Sequence, residues 1–194
     1  VPTMMHRIWR LPETVRESVD VSSLQVVSHV ASPMPVWLKE AWIGWLGEKR
    51  NYELYGGTEG TGATWIRGDE WLSHKGTVGK FVRDAKVRVL NEEGSDCDPD
   101  EIGEVYLMPA TGPSSTYHYI GAEAKIADGG WETLGDMGWL DEDGYLYFVD
   151  RKKDIIRRRG ENISSQQVEA VLKRHPEIID CAVIAVPSDL GEDE

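Results

Sequence analysis

The run Tyr55-Gly56-Gly57-Thr58-Glu59-Gly60 is the part of the sequence best suited to phosphate chemistry. Glycine has no Cβ, so a backbone that contains it can approach a phosphate closely and adopt positive φ angles. A threonine hydroxyl beside a carboxylate is a natural pair for a phosphate oxygen and its Mg²⁺ ion. The run therefore predicts a nucleotide-phosphate loop with Thr58 and Glu59 as its polar groups. The alternative is a plain glycine turn in which these two residues act as caps.

A second candidate is the tetrapeptide Thr133-Leu134-Gly135-Asp136, which follows a predicted strand. A carboxylate can accept hydrogen bonds from two neighbouring hydroxyl groups, as an acidic residue does on ribose in dinucleotide-binding folds. Asp136 is therefore a candidate ribose ligand, and an ordinary Gly-Asp turn is the alternative.

A third candidate is a cluster of cations between Asp150 and Asn162. It consists of Arg151, Lys152, Lys153, Arg157, Arg158 and Arg159. Such a cluster can steer an anionic ligand towards the protein. A solvated basic face is the usual alternative for a run of like charges.

The first 76 residues, which carry the glycine-rich run, show an α/β pattern. Leu24–Ala31 is rich in valine and predicts a strand. Apolar residues at three- and four-residue spacing predict a helix over Val36–Leu46, ended by Gly47. Asn51–Tyr55 predicts a second strand. We interpret residues 1–76 as the end of a large α/β domain.

Residues 77–150 instead show short alternating strands separated by turn clusters. The predicted strands are Ala85–Leu90, Gly103–Leu107, Trp131–Thr133 and Tyr145–Val149. This pattern predicts a small antiparallel β-barrel subdomain.

Residues 151–194 predict the start of an α+β domain. Asp154–Arg159 is a possible strand, and Gly160-Glu161-Asn162 a turn. Ser164 and Gln167 have the spacing of a capping box, which opens a helix with Val168, Val171 and Leu172 on its buried face. The apolar segment Ile178–Val186 predicts a further strand.

Composition excludes several classes of function. The chain of 194 residues has 21 Lys and Arg against 34 Asp and Glu, a formal charge of −13, which argues against binding to nucleic acid or to anionic membranes. No apolar run is long enough to cross a bilayer. Cys97 and Cys181 lie far apart and without metal-ligand spacing, which indicates reduced thiols and a cytoplasmic protein. Val1 and Glu194 both read as cuts in a longer protein.

The order and spacing of these segments resemble the adenylate-forming superfamily, which includes acyl-CoA synthetases, firefly-type luciferases and peptide-synthetase adenylation domains. The resemblance covers essentially the whole chain. It is carried by Val1–Met4, Ala31–Met34, Tyr55–Glu59, Trp131–Asp136, Asp150–Asp154 with Gly160, and Ile178–Pro187. The opening segment, the glycine-rich run and Arg159–Ile163 are most similar to acid–CoA ligases of the fatty-acid, steroid, bile-acid or carnitine type.

The resemblance implies a reaction in two steps. A carboxylic acid attacks the α-phosphate of ATP to give an acyl-adenylate and pyrophosphate. The C-terminal domain then rotates, and the thiol of coenzyme A displaces AMP to give a thioester. The implied ligands are ATP or AMP, Mg²⁺, coenzyme A as a substrate, and a fatty, steroid, aromatic or carnitine-type acid. The oligomeric state stays open.

The resemblance also implies a role for each residue of the expected site. Ala31, Ser32 and Pro33 would form one wall of the adenine site, and Tyr55 would form the other. Gly56 and Gly57 would lie in the phosphate loop, where Thr58 would bind the α-phosphate and Glu59 would bind Mg²⁺. Asp136 would bind the ribose hydroxyls, Arg151 would contact ribose or phosphate, Lys153 would lie at the hinge, and Gly160 would line the pantetheine tunnel. His29 departs from the small residue expected beside the adenine wall.

Alternatives remain within and outside this family. They are a peptide-synthetase adenylation domain, a luciferase, a non-catalytic nucleotide-binding module, and an unrelated α/β domain. The family's β,γ-phosphate loop would precede Val1 and its adenylation lysine would follow Glu194. We therefore expect the isolated 194 residues to be inactive.

Overall fold

A computed structural model describes residues 1–113, 116–159 and 161–186. The helices are α1 (Pro2–Trp9), α2 (Glu13–Glu17), α3 (Val36–Leu46), α4 (Gly68–Ser73) and α5 (Ser165–Leu172). The strands are β1 (Val27–His29), β2 (Asn51–Glu53), β3 (Thr64–Arg67), β4 (Lys80–Phe81), β5 (Lys86–Leu90), β6 (Gly103–Met108), β7 (Lys125–Ala127), β8 (Trp131–Thr133), β9 (Asp136–Leu140), β10 (Leu146–Arg151), β11 (Ile156–Arg158) and β12 (Glu161–Ile163). No helix in these ranges has the length and apolar character needed to span a membrane.

The first sheet has the strand order β1-β2-β3-β4, and β1 runs parallel to β2. Helix α3 has the predicted bounds and ends at Gly47, whose φ of 89° suits a residue without Cβ. Its apolar face packs on α1 in a core that includes Met5, Leu38, Trp42 and Leu46. The predicted strand–helix–strand arrangement is thereby confirmed.

The second sheet is antiparallel, with six strands in the order β10-β9-β6-β8-β7 and β5 beside β6. The interior contains Val89, Val105, Leu107 and Leu146. The Leu146 amide donates to the Gly79 carbonyl oxygen (3.0 Å), which connects β10 to the segment before β4. Strands are present near each predicted position, and β7 and β9 are additional.

Several predicted elements differ from the structure because an apolar run becomes a strand only where a partner strand pairs with it. Within Leu24–Ala31 only β1 pairs with β2, and Val26 is exposed. The predicted turn at residues 160–162 is wrong at Glu161 and Asn162, which belong to β12 and pair with β11, whereas residue 160 lies outside the described residues. Ile178–Val186 forms no strand. Instead, the Val183 amide donates to Glu169 Oε1 of α5 (3.0 Å).

Helix α5 begins where predicted, and the Ser164 hydroxyl accepts the hydrogen bond from the Gln167 amide. Its predicted buried face is wrong at Val171, which is 66% exposed, and at Leu172, which is 38% exposed, whereas Val168 is half-buried. The helix instead contacts β10. The buried residue of the helix is Ser165, in its first turn.

Candidate functional site

The two loops that carry the first candidate residues leave the same edge of the first sheet. Strands β1 and β2 are parallel, so the loops after both strands begin side by side. The Leu54 amide donates to the His29 carbonyl oxygen (3.1 Å) at this edge. Ala31, Ser32 and Pro33 follow β1 and are exposed.

The glycine-rich run lies in a loop that connects β2 to β3. This loop is closed by a bridge between Gly56 and Ala63 and by the Thr64 amide, which donates to the Tyr55 carbonyl oxygen (2.8 Å). The loop leads into a strand and not into a helix. The alternative of a plain glycine turn between a strand and a helix, with Thr58 and Glu59 as caps, is therefore wrong. Thr58 is exposed at the outer part of the loop.

The second candidate loop packs directly against the first. A Cβ atom at Gly57 would lie 2.7 Å from Leu134 Cδ1, closer than van der Waals contact allows, so a larger residue here would displace the Leu134 side chain. The Tyr55 hydroxyl donates to Asp136 Oδ2 (2.6 Å). Residues separated by 81 positions in sequence thus form one site.

Asp136 combines burial with an acceptor that has no hydrogen bond. It is 3% exposed, and its Oδ1 atom lies 2.9 Å from Arg151 Nε but receives no hydrogen bond. Burial raises the pKa of the Asp136 carboxyl, and the Glu59 charge acts in the same direction, against Tyr55 and Arg151. A Cβ atom at Gly57 would meet both Glu59 Oε2 and Leu134 Cδ1, so the Glu59 carboxylate lies beside the loop that carries Asp136. The Asp136 Oδ1 atom, which forms an ion pair with Arg151 but accepts no hydrogen bond, fits a donor from a ligand, such as a ribose hydroxyl.

Glu59 is held by two residues that the sequence patterns did not indicate. The Tyr119 hydroxyl donates to Glu59 Oε1 (2.9 Å), and the Thr116 hydroxyl donates to the Glu59 carbonyl oxygen. No sequence signal marks either residue, because both come from the irregular segment between β6 and β7.

The carboxylate of Glu59 suits Mg²⁺ bound together with a nucleotide better than it suits a metal ion whose ligands are all protein side chains. No group of three or more His, Cys, Asp or Glu side chains that could hold a metal occurs in the described part of the chain. Mg²⁺ is typically bound by one or two carboxylates together with phosphate oxygens and water. Glu59 is the residue that would hold it beside a nucleotide.

The basic segment starts at the site and then leaves it. Arg151 Nη1 donates to the Leu134 carbonyl oxygen (3.0 Å), and the Lys152 amide donates to that of Gly135 (2.8 Å). Lys153 is exposed in the turn between β10 and β11. Arg157 pairs with Glu92 on the exposed surface (2.9 Å). Gly160 lies outside the described residues.

A buried carboxylate fastens this segment to the second sheet. Glu104 is 5% exposed and accepts hydrogen bonds from Lys125 Nζ and Lys152 Nζ, the latter at 2.8 Å. Burial opposes ionisation of Glu104, but the two lysines outweigh it and hold the pKa of that carboxyl below its usual range. Lys152 is therefore a structural residue of the site.

A second cluster of charges lies beneath the site, at the ends of β1 and β2. Lys39 of α3 forms a buried ion pair with Glu53, and its Nζ atom lies 5.0 Å from the centre of the Trp71 ring. His29 Nε2 lies 3.6 Å from Glu53 Oε2, and neither His29 ring nitrogen has a hydrogen-bond partner. Burial lowers the pKa of Lys39 and raises the pKa of Glu53, in both cases against the attraction between them.

Burial, followed by the Lys39 charge, lowers the pKa of His29 to about 3. In the unfolded chain histidine takes up a proton near pH 6.5, whereas in the folded protein His29 stays neutral until about pH 3. The contribution of His29 to stability is therefore complete above pH 6.5 and is lost as the pH falls from 6.5 towards 3. Between pH 6.5 and 5 its contribution to the free energy of unfolding is expected to fall by about 2 kcal/mol. Urea unfolding over this range should show a shallower decline for His29→Leu than for the unmodified chain. Equal declines in the free energy of unfolding between pH 6.5 and 5 would contradict this. Above pH 7.5, where His29 is neutral in both states, the two proteins should show the same pH dependence.

Comparison with known proteins gives similarity to one family. Residues 1–118 match the family described as AMP-binding enzyme. Steroid-22-oyl-CoA synthetase from Rhodococcus jostii (strain RHA1) is 37% identical over 159 residues, which are 74% of this chain and 28% of that protein. 4-coumarate–CoA ligase-like 6 from Arabidopsis thaliana is 34% identical over 196 residues, which are 97% of this chain and 34% of that protein. The chain thus spans only about a third of the length of such curated relatives.

Solved structures show the same fold. The amide bond synthetase McbA from Marinactinospora thermotolerans has a TM-score of 0.79 at 26% identity, covering 99% of this chain and 39% of that one. A second structure is the O-succinylbenzoate coenzyme A synthetase MenE from Bacillus subtilis, in complex with ATP and a magnesium ion. It has a TM-score of 0.74 at 27% identity, covering 91% of this chain and 37% of that one. The predicted fold class is confirmed.

Proposed function

The chain belongs to the family of AMP-binding enzymes, and from this premise we propose that it forms part of an ATP-dependent acid–CoA ligase. The carboxylate of an acid substrate would attack the α-phosphorus of ATP, with pyrophosphate as the leaving group. The thiolate of coenzyme A would then attack the acyl carbonyl carbon of the adenylate, with AMP as the leaving group. Coenzyme A enters this proposal from the names of the relatives, several of which are CoA ligases.

The observation that carries the proposal is the convergence of Tyr55, Asp136 and Glu59 on one region. The Tyr55 hydroxyl is tied to Asp136, and the Asp136 Oδ1 atom lacks a hydrogen bond. Glu59 and Leu134, two positions before Asp136, both lie at the position that a Cβ atom of Gly57 would take. In the proposed roles Tyr55 stacks on adenine opposite Ala31–Pro33, and Asp136 accepts the ribose hydroxyls.

The remaining proposed roles concern phosphate and movement. Thr58 would bind the α-phosphate and Glu59 would hold Mg²⁺, which would neutralise phosphate charge when bound. Arg151 would contact ribose or phosphate, and Lys153 would be the hinge. Its turn between β10 and β11 is closed by the Asp154 amide, which donates to the Arg151 carbonyl oxygen (2.9 Å). The protein would act by positioning and charge neutralisation.

The substrate we propose is a bulky carboxylic acid of the steroid, aromatic or fatty class. Curated relatives are named for steroid, coumarate and succinylbenzoate substrates. We further propose a role in lipid metabolism and a cytoplasmic location.

A second candidate shares the first half-reaction but transfers the acyl group to an amine. It is favoured by the similarity to an amide bond synthetase. In that case AMP would leave when an amine nitrogen, rather than a thiolate, attacks the acyl carbonyl.

The test is AMP release by the full-length protein with ATP and Mg²⁺, using a panel of steroid, aromatic and fatty acids and the amino acids. Each acid is assayed with coenzyme A, with an amine, and with no acceptor. The ligase proposal expects a thioester product and AMP release that depends on coenzyme A for at least one acid. Amides as the sole products would favour the second candidate. Adenylates of amino acids without any thioester would favour a peptide synthetase.

A further inference from the structure

The carboxylate of Asp150, near the end of β10, accepts hydrogen bonds from two separate parts of the chain. Its Oδ1 atom accepts from the Arg151 amide (2.8 Å) and from Gln166 Nε2 (3.1 Å). Its Oδ2 atom accepts from the hydroxyls of Ser164 (3.0 Å) and Ser165 (2.8 Å) and from the Gln166 amide (3.3 Å). Asp150 is 0% exposed, so these five donors stand in for water.

Four of the five donors come from the first turn of helix α5. Ser164 is the N-cap of this helix, and its hydroxyl proton is shared between Asp150 Oδ2 and the Val149 carbonyl oxygen (3.0 Å each). The chain therefore leaves the second sheet after Arg151, forms the hairpin of β11 and β12, and returns to the Asp150 carboxylate at Ser164. A negative charge at a helix N-terminus is also favoured by the helix dipole.

The fifth donor leads to the candidate nucleotide site. Asp150 holds the backbone amide of Arg151, and the Arg151 side chain lies 2.9 Å from Asp136 and donates to the Leu134 carbonyl oxygen. One carboxylate is thus shared between the docking of α5 and the placement of Arg151. Because a buried carboxylate that loses donors is strongly destabilised, neither contact is independent of the other.

We propose that Asp150 is a positioning residue that couples the docking of helix α5 to the Arg151–Asp136 pair. Undocking of α5 removes four donors, exposes the carboxylate to water and leaves the Arg151 amide as the remaining donor of the five. The assignment of that pair to a nucleotide rests on the proposed function, whereas the coupling is a property of the contacts themselves. If the segment after Lys153 moves as a domain, this carboxylate is where its position is transmitted to the site.

The test is hydrogen exchange measured by NMR on the 194-residue chain without nucleotide. Ser165→Ala removes one donor on α5 and has no direct contact with Arg151. It is expected to accelerate exchange of both the α5 amides and the Arg151 Nε proton by about tenfold, a coupling within the range for residues in one hydrogen-bond network. In an Asp150→Asn background the same substitution should add no further change at Arg151.

Two controls separate coupling from general loss of stability. Asp154→Asn removes an exposed carboxylate four positions away and should leave both sets of protons unchanged. Amides of β5 and β6 report the whole fold, and should not change in Ser165→Ala. Faster exchange of α5 alone, or of all regions equally, overturns the proposal. Should Asp150→Asn fail to fold, Gln166→Ala with the same readouts decides it.

A second measurement keeps the two proposals apart. In the full-length protein, AMP should slow exchange of the α5 amides, and this protection should be lost in Ser165→Ala, since coupling between two sites is reciprocal. Absence of AMP binding would count against the proposed function and leave the exchange results on the free chain to stand. Binding with equal protection in both proteins would overturn the coupling.

Discussion

Replacement of Lys39 with methionine is expected to lower the free energy of unfolding by about 3–5 kcal/mol, the cost of leaving one member of a buried ion pair without its partner. Lys39 is 2% exposed and Glu53 is 6% exposed. Methionine fills a similar volume, so the loss reports the uncompensated Glu53 charge rather than a cavity. Urea unfolding at pH 7 measures it.

Helix α3 supplies a matched control for this prediction. Glu40, the next residue, pairs with Lys75 (2.6 Å), with side chains 41% and 52% exposed. Lys75→Met should cost less than about 1 kcal/mol, because exposed pairs are screened by water. Equal losses for Lys39→Met and Lys75→Met would show that the buried pair has no special role.

The pH dependence of the Lys39→Met variant provides a further check. Without Lys39, burial acts on Glu53 without opposition, and this raises the pKa of that carboxyl further. The ionised form is then disfavoured in the folded state, so the loss of stability should shrink as the pH falls and Glu53 becomes protonated. Conversion of both residues to apolar side chains, Lys39→Met with Glu53→Leu, should recover most of the loss.

Local patterns were sufficient to predict elements whose packing depends on nearby residues. The spacing of Leu38 and Trp42, followed by Gly47, gave helix α3 with its observed bounds, since one apolar face and one terminal glycine determine both. The Ser164–Gln167 spacing likewise gave the start of α5.

Features that depend on distant partners could not be predicted in the same way. Lysine is almost never fully buried, so nothing near Lys39 indicates its pairing with Glu53. The Ile178–Val186 segment has strand composition but no strand pairs with it in the part of the chain that the structure describes. The chemistry of Asp136 was predictable from type and spacing, whereas its burial and its bond to Tyr55 arise only from the fold.

Under the proposed function, Asp136 is the residue whose substitution should have the largest effect on ligand binding. In the full-length protein Asp136→Asn is expected to weaken AMP binding by about 100-fold, or about 3 kcal/mol, because the proposed role of Asp136 gives it two ribose hydroxyl hydrogen bonds to a charged acceptor, which this variant would lose. Calorimetric titration with AMP, 2′-deoxy-AMP and 3′-deoxy-AMP tests the cause. The unmodified protein should bind each deoxynucleotide more weakly than AMP, whereas the variant should bind all three about equally. Undiminished discrimination by the variant would place the ribose elsewhere.

The same substitution should act in the opposite direction on stability. Burial raises the pKa of Asp136, so its ionised form is disfavoured in the folded state at neutral pH. Removal of that charge should therefore raise the free energy of unfolding of the nucleotide-free protein at pH 7. The gain should disappear as the pH falls below about 4, where the carboxyl is protonated in both the folded and the unfolded state. A gain in stability together with a loss of AMP binding is the result expected of a carboxylate kept for a ligand, whereas a structural carboxylate would lose stability on substitution.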